Sequence, residues 1–181
     1  MKKMFTLIGL VCSSWAWGQG LYLSPAGHVH FTSEAPLELI EAQSNKLNCI
    51  IDATHRTFAF SLEIRSFDGF NSALQREHFN ENYMESHKHP EATFNGKILD
   101  NVDLSKPGTY EVQAKGTFTV HGVSIEKVFK SQVVSSAEGL AISSEFSVPL
   151  AEHNITVPKI VNQKIASVIL VKINAQLKPK K

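Results

Sequence analysis

The chain has 181 residues, with 18 Lys and Arg against 17 Asp and Glu, a formal net charge of +1. Charge this balanced and scattered excludes the basic stripe that nucleic acid or an anionic membrane surface would require. Of the two cysteines, Cys12 falls in the first 18 residues and only Cys49 remains beyond them, so no internal disulfide is expected and stability must come from packing.

Lys2 and Lys3 form a short basic region, Met4 to Trp15 an apolar run, and Ala16-Trp17-Gly18 sets small residues where a signal peptidase reads. The run is too short to span a bilayer comfortably, and Gly9-Leu10-Val11-Cys12 lacks the leucine of a lipidation box. Residues 1–18 are therefore expected to be a cleaved signal peptide and 19–181 one exported domain, periplasmic or secreted, with no stable membrane anchor. Cys49 alternates with Leu47 and Ile51 and reads as a small buried hydrophobe.

Beyond the signal segment, period-two alternation dominates, the pattern of half-buried antiparallel strands. Val29 and Phe31 alternate with His28, His30 and Thr32, while Leu37 to Glu41 is compatible with a helical turn. Leu47, Cys49 and Ile51 lead through a turn at 52–56 into Phe58, Phe60, Leu62 and Ile64, which predicts a hairpin. A long interruption follows at 66–98. In it Ser72-x-x-Gln75 resembles a capping box and opens a short helix that frays before His89-Pro90, where the proline launches the next strand. That strand places Ala92, Phe94, Gly96 and Ile98 on one face. After a polar turn at 101–108, Tyr110, Val112, Ala114, Gly116, Phe118 and Val120 share a face, and His121-Gly122 makes a tight turn. Ile125, Phe129 and Val133 follow in phase, then Leu140, Ile142, Phe146, Val148 and Leu150. A loop at 151–164 leads to a last strand over 166–177. About eight strands and one short helical crossover predict an all-β, single eight-stranded antiparallel barrel.

The blocks Ser66-Phe67, Glu77-His78-Phe79, Tyr83-Met84-Glu85-Ser86, Pro90-x-Ala92-Thr93-Phe94-x-Gly96 and Gly116-x-Phe118-Thr119-Val120-His121-Gly122-Val123 resemble the YceI-like family in order and spacing. Phe146-x-Val148, Ile155, Pro158-x-Ile160 and Lys164-Ile165 extend the likeness, which runs from Val29 to Leu177. The resemblance implies a lipocalin-like barrel with an apolar tunnel that binds polyisoprenoid or other lipid chains, and no catalytic residue. One departure stands out: His87-Lys88-His89-Pro90 places an imidazole where the family usually has Lys-Tyr-Pro.

Alternation alone does not separate a filled core from a lined cavity, and filled interiors are the rule. Ala114 and Gly116 on the inward face leave space, and the resemblance favours a tunnel. The expected ligand-binding set is Phe58, Phe60, Leu62, Ile64, Leu74, Phe79, Tyr83, Phe94, Ile98, Tyr110, Val112, Phe118, Ile142 and Phe146. Leu74, Phe79 and Tyr83 would act as a gate or plug at one end. The partner expected is an apolar small molecule, an isoprenoid or lipid chain, with a homodimer left open. The alternative is a His-based metal-binding or stress-related protein with a filled core, using His87-x-His89 near His78, Glu85 and Glu91. The bland reading of these histidines, and of His28-x-His30, is a solvated surface, and no metal or other cofactor is expected. No Gly-x-Ser-x-Gly, His-Glu-x-x-His or phosphate-binding glycine loop occurs, so no enzyme activity is expected.

Overall fold

Eight antiparallel strands close into a barrel in simple chain order. The computed structural model describes residues 20–180, so the expected signal segment lies outside the described residues. The strands are β1 Leu21–Glu34, β2 Leu39–Asp52, β3 Thr57–Glu63, β4 Glu91–Ile98, β5 Gly108–Val120, β6 Val123–Ser136, β7 Gly139–Pro149 and β8 Val168–Pro179. β8 closes on β1 through pairs such as His28 with Asn174 and Thr32 with Leu170.

Two strand boundaries differ from the sequence expectation, each for a long-range reason. Leu37 to Glu41 is not a helical turn: β2 starts at Leu39, where Glu34 pairs with Leu39 and Thr32 with Glu41. Cross-strand pairing overrides an ambiguous local preference there. β1 starts at Leu21, ahead of the visible alternation. Register shifts on either side of Gly27 break its phase, so period-two reading finds only the later half.

The strands do not pair along their whole length. β2 meets β3 only from Asn48 to Asp52, and β6 meets β7 only from Ser131 to Ser136. The first of these seams is covered by the crossover at 64–90. A 3-10 turn, Ile64–Ser66, bends the chain back toward β2, where Gln43 and Asp68 exchange backbone N–H···O bonds of 2.8 Å each. A short helix, α1 (Ala73–His78), starts at Ser72, whose hydroxyl accepts from the Gln75 N–H at 3.1 Å. The Gln75 side chain reaches past the cap and accepts from the Asn71 N–H at 3.0 Å, so the box is wider by one residue than the sequence pattern implies. Asn80 then donates its side-chain amide to the Arg76 carbonyl at 2.9 Å, and the helix widens into a π turn over Phe79–Tyr83.

The barrel's two ends differ. At the end of the 53–56, 99–107 and 137–138 turns the interior is filled by Cys49, Ile51, Phe58, Ile98, Val112, Val133, Leu140 and Leu177, all buried. Leu104, inside the turn expected to be polar, is 1% exposed and stoppers this end, its carbonyl accepting from the Ser135 hydroxyl at 2.7 Å. Burial pushes the Cys49 thiol up to about 12, which suits a small hydrophobe and not a nucleophile. Gly96 and Gly116 face each other across β4 and β5. A Cβ on Gly96 would fall 2.0 Å from the Lys115 carbonyl oxygen, and one on Gly116 would fall 2.2 Å from that of Asn95. Glycine here permits close backbone approach. It is not there to make room for a ligand.

At the other end, the 3-10 turn Leu150–His153 after β7 buries His153 completely. Its ring stands edge-on to Phe118 at 5.4 Å, and neither ring nitrogen makes a hydrogen bond of good geometry. Burial holds the imidazole below its ordinary 6.5, outweighing the backbone groups of Val123 and Val120 that favour the proton. Because the unfolded chain takes up this proton first, stability is full above about pH 6.5 and declines as pH falls toward the lowered folded value. Thermal unfolding of the wild type should therefore lose midpoint between about pH 7 and pH 5, and His153→Phe should flatten that decline; equal slopes would remove His153 as the cause.

Candidate functional site

The crossover end of the barrel encloses a cavity of about 540 Å³. Its wall is built from inward positions of the strands: Val29 and Phe31 of β1, Phe60 and Leu62 of β3, Phe94 of β4, Phe118 of β5, Phe129 of β6, Phe146 of β7 and Val171 of β8. Its roof comes from the crossover, with Phe67, Phe70, Phe79, Tyr83 and Met84. Aromatic packing makes the wall continuous. Phe129 stacks on Phe146 at 4.0 Å, Phe118 meets both edge-on, and Phe31 stacks on Phe79 at 5.5 Å while meeting Phe67 edge-on at 5.1 Å. These ring pairs couple roof to wall.

Of the residues expected to bind ligand, Phe60, Leu62, Ile64, Leu74, Phe79, Tyr83, Phe94, Phe118, Ile142 and Phe146 line the cavity. Leu74 sits at its mouth, 59% exposed, so it rims the cavity and does not plug it. Phe58, Ile98, Tyr110 and Val112 do not reach the cavity and are corrected to core positions. They share the inward face but stand in the filled half, where Phe58 packs on Phe94 at 4.7 Å. Tyr110 donates its hydroxyl to the Lys106 carbonyl at 3.0 Å, in the turn of the closed end. Alternation tells which face a side chain takes, not how far along the barrel it lies.

Val29, Phe31, Phe67, Phe70, Phe129 and Val171 also line the cavity, outside the set expected from the sequence. Their signal was present, since each is an inward strand position or an aromatic of the crossover. What was missing was the knowledge of which strand ends lie together. The mouth is polar: Glu38, Gln75, His78 and Lys164 border it. Gln75 donates to Glu38 at 3.0 Å, Asn71 to the Leu39 carbonyl at 3.0 Å, and the Leu37 N–H to the Gln163 carbonyl at 2.8 Å. The roof therefore rests on apolar contacts below and a few polar ties at its margin. Burial pushes the Tyr83 phenol up, keeping it neutral against the cavity.

The histidines separate into different surroundings. His87 lies 3.8 Å from Glu81 on the surface, and His28 bonds Asn45 at 2.8 Å. His89, by contrast, meets His121 edge-on at 4.8 Å beside Glu85, at the same barrel end as the cavity. The hydrogen bond from Lys88 is the main cause that holds the Glu85 carboxyl below the usual carboxylate range.

A family model described as YceI-like domain matches residues 28–177. No curated protein matches the chain. Among solved structures, a polyisoprenoid binding domain from Saccharophagus degradans implicated in plant cell wall breakdown superposes with a TM-score of 0.75 at 15% identity, over 89% of this chain and 99% of that one. BcnA of Burkholderia cenocepacia gives 0.68 at 14% identity, over 85% and 96%. A YCEI protein of Campylobacter jejuni gives 0.58 at 13% identity, over 100% and 94%. At these identities the likeness to each structure speaks for the fold alone.

The division into filled and hollow halves has a measurable consequence. Phe58→Ala should cost about 3–5 kcal/mol in urea unfolding, the usual range for a buried phenylalanine. Phe60→Ala, one of whose flanks already faces the cavity, should cost clearly less. Equal losses would contradict the division.

Proposed function

The chain belongs to the YceI-like domain family, and from that premise we propose that it sequesters or carries a long apolar or amphiphilic molecule, isoprenoid- or fatty-acid-like, without chemistry of its own. The observation that carries this reading is the cavity of about 540 Å³ walled by Phe31, Phe60, Phe118, Phe129 and Phe146. Its volume lies within the roughly 300–1,000 Å³ of small-molecule sites, which are mostly apolar with a few polar groups. Here the polar groups stand at the mouth, so an amphiphile would enter tail first and leave its headgroup near Gln75 and Lys164. The polyisoprenoid binding described for the Saccharophagus degradans domain supports the same ligand class. The wider reading is of one barrel domain over 19–181, exported behind a cleaved signal at 1–18 to the periplasm or beyond.

Binding by burial has a signature that chemistry-specific recognition lacks. Each methylene drawn into the wall contributes roughly 0.8 kcal/mol, about 25 cal/mol per Å² of apolar surface. Affinity for straight-chain fatty acids, measured by calorimetry on delipidated protein, should therefore rise with chain length and level off once the cavity is full. Phe118→Asp, which sets a carboxylate in the wall, should abolish uptake in a variant whose circular dichroism still shows the barrel. Affinity independent of chain length, or unchanged in folded Phe118→Asp, would sink the carrier reading.

A further inference from the structure

We infer that Glu85, His89 and His121 form a site for one divalent transition-metal ion of the zinc class, independent of the cavity and of what fills it. The three side chains come from two separated stretches. Glu85 and His89 end the crossover, and His121 is the first residue of the β5–β6 turn. One ligand atom from each lies within 4.8 Å of the others, and all three residues are partly buried.

The hydrogen bonding of His121 carries the argument. Its Nδ1 lies 2.9 Å from the His153 carbonyl oxygen, which can only accept, so Nδ1 bears the proton. In the neutral ring Nε2 is then a bare lone pair, and it points at Glu85 Oε2 from 3.2 Å. Two acceptors at that distance repel unless a cation sits between them. A proton would satisfy the pair alone. A metal also accounts for the third group, the His89 imidazole, held edge-on to His121 at 4.8 Å.

The spacing and supports suit a metal. A tetrahedral zinc ion with bonds of about 2.0–2.1 Å sets its ligands roughly 3.3 Å apart, the separation His121 and Glu85 already have. A ligating histidine whose other N–H is fixed by a backbone carbonyl is the usual support for such a site. Glu85 Oε1 is engaged by Lys88 Nζ, which leaves Oε2 as its single ligand atom. Gly122 completes the seat. Its φ of +71 and missing side chain make room for the His89 ring, since a Cβ there would fall 2.6 Å from His89 Cε1. Two imidazoles and a carboxylate fill three positions and leave a fourth for water. Bound metal would pin the crossover to the β5–β6 turn and, through the His153 carbonyl, to the turn after β7.

The test is calorimetric titration of the chelator-treated full chain with zinc chloride, alongside histidine NMR of the wild type. One zinc per chain is expected, with resonance shifts confined to His89 and His121. His89→Phe, Glu85→Gln and His121→Asn (asparagine tolerates the left-handed backbone, φ +51) should each weaken binding by about 100-fold or more, given that even losing a group that only hydrogen-bonds to a metal ligand costs roughly 10–100-fold. His87→Ala should bind as the wild type does. The site is overturned if zinc does not bind, if the shifts fall on other histidines, or if His87→Ala loses the ion. The wild-type spectra decide the matter even where a variant fails to fold.

Discussion

The reciprocal backbone bonds between Gln43 and Asp68, 2.8 Å each, are the contact on which the cavity end depends. β3 leaves β2 after five residue pairs, from Asn48 to Asp52, so the barrel opens along that seam. Without a substitute, the first half of β2 would show an unpaired edge. The crossover supplies the substitute. It lies along β2 at Asp68, caps a helix at Ser72 and delivers Phe67, Phe70 and Phe79 across the opening. The same ring contacts that close the seam roof the cavity, so closing the fold and building the site are one event.

The unequal filling of the two halves follows from residue size and from what the turns carry. At the closed end Leu104, Leu140 and Leu177 meet in the axis, each 1% exposed. At the crossover end the aromatic rings pack against one another around the wall and leave the axis clear. The cleared axis leaves a space of about 540 Å³ that opens at the polar mouth.

Much of this was legible in the sequence, for reasons particular residues make plain. The inward set Tyr110, Val112, Ala114, Phe118 is an unbroken alternation because β5 is regular along its length. His121-Gly122 reads as a hairpin turn and adopts two left-handed residues. Ser72 caps as its spacing implies. What stayed hidden was depth along the barrel. Phe58 and Phe60 lie on neighbouring inward stations of one strand, yet one is core and the other cavity wall. The Glu85–His89–His121 grouping was hidden for the same reason: the sequence offers His87-x-His89 as the obvious pair, and only the closed barrel brings His121 to the crossover. The bulges around Gly27 concealed the first half of β1 by breaking the one periodicity that could reveal it.

The central claim is that an apolar chain lies inside the crossover half of the barrel. Nuclear Overhauser contacts between a bound, isotope-labelled fatty acid and the protein's aromatic rings test it most directly. The account predicts that methylene protons of the tail contact Phe118, Phe129, Phe146 and Phe79 and none of the ring protons of Tyr110. Contacts confined to surface residues such as Ile160, or reaching Tyr110 at the filled end, would contradict it.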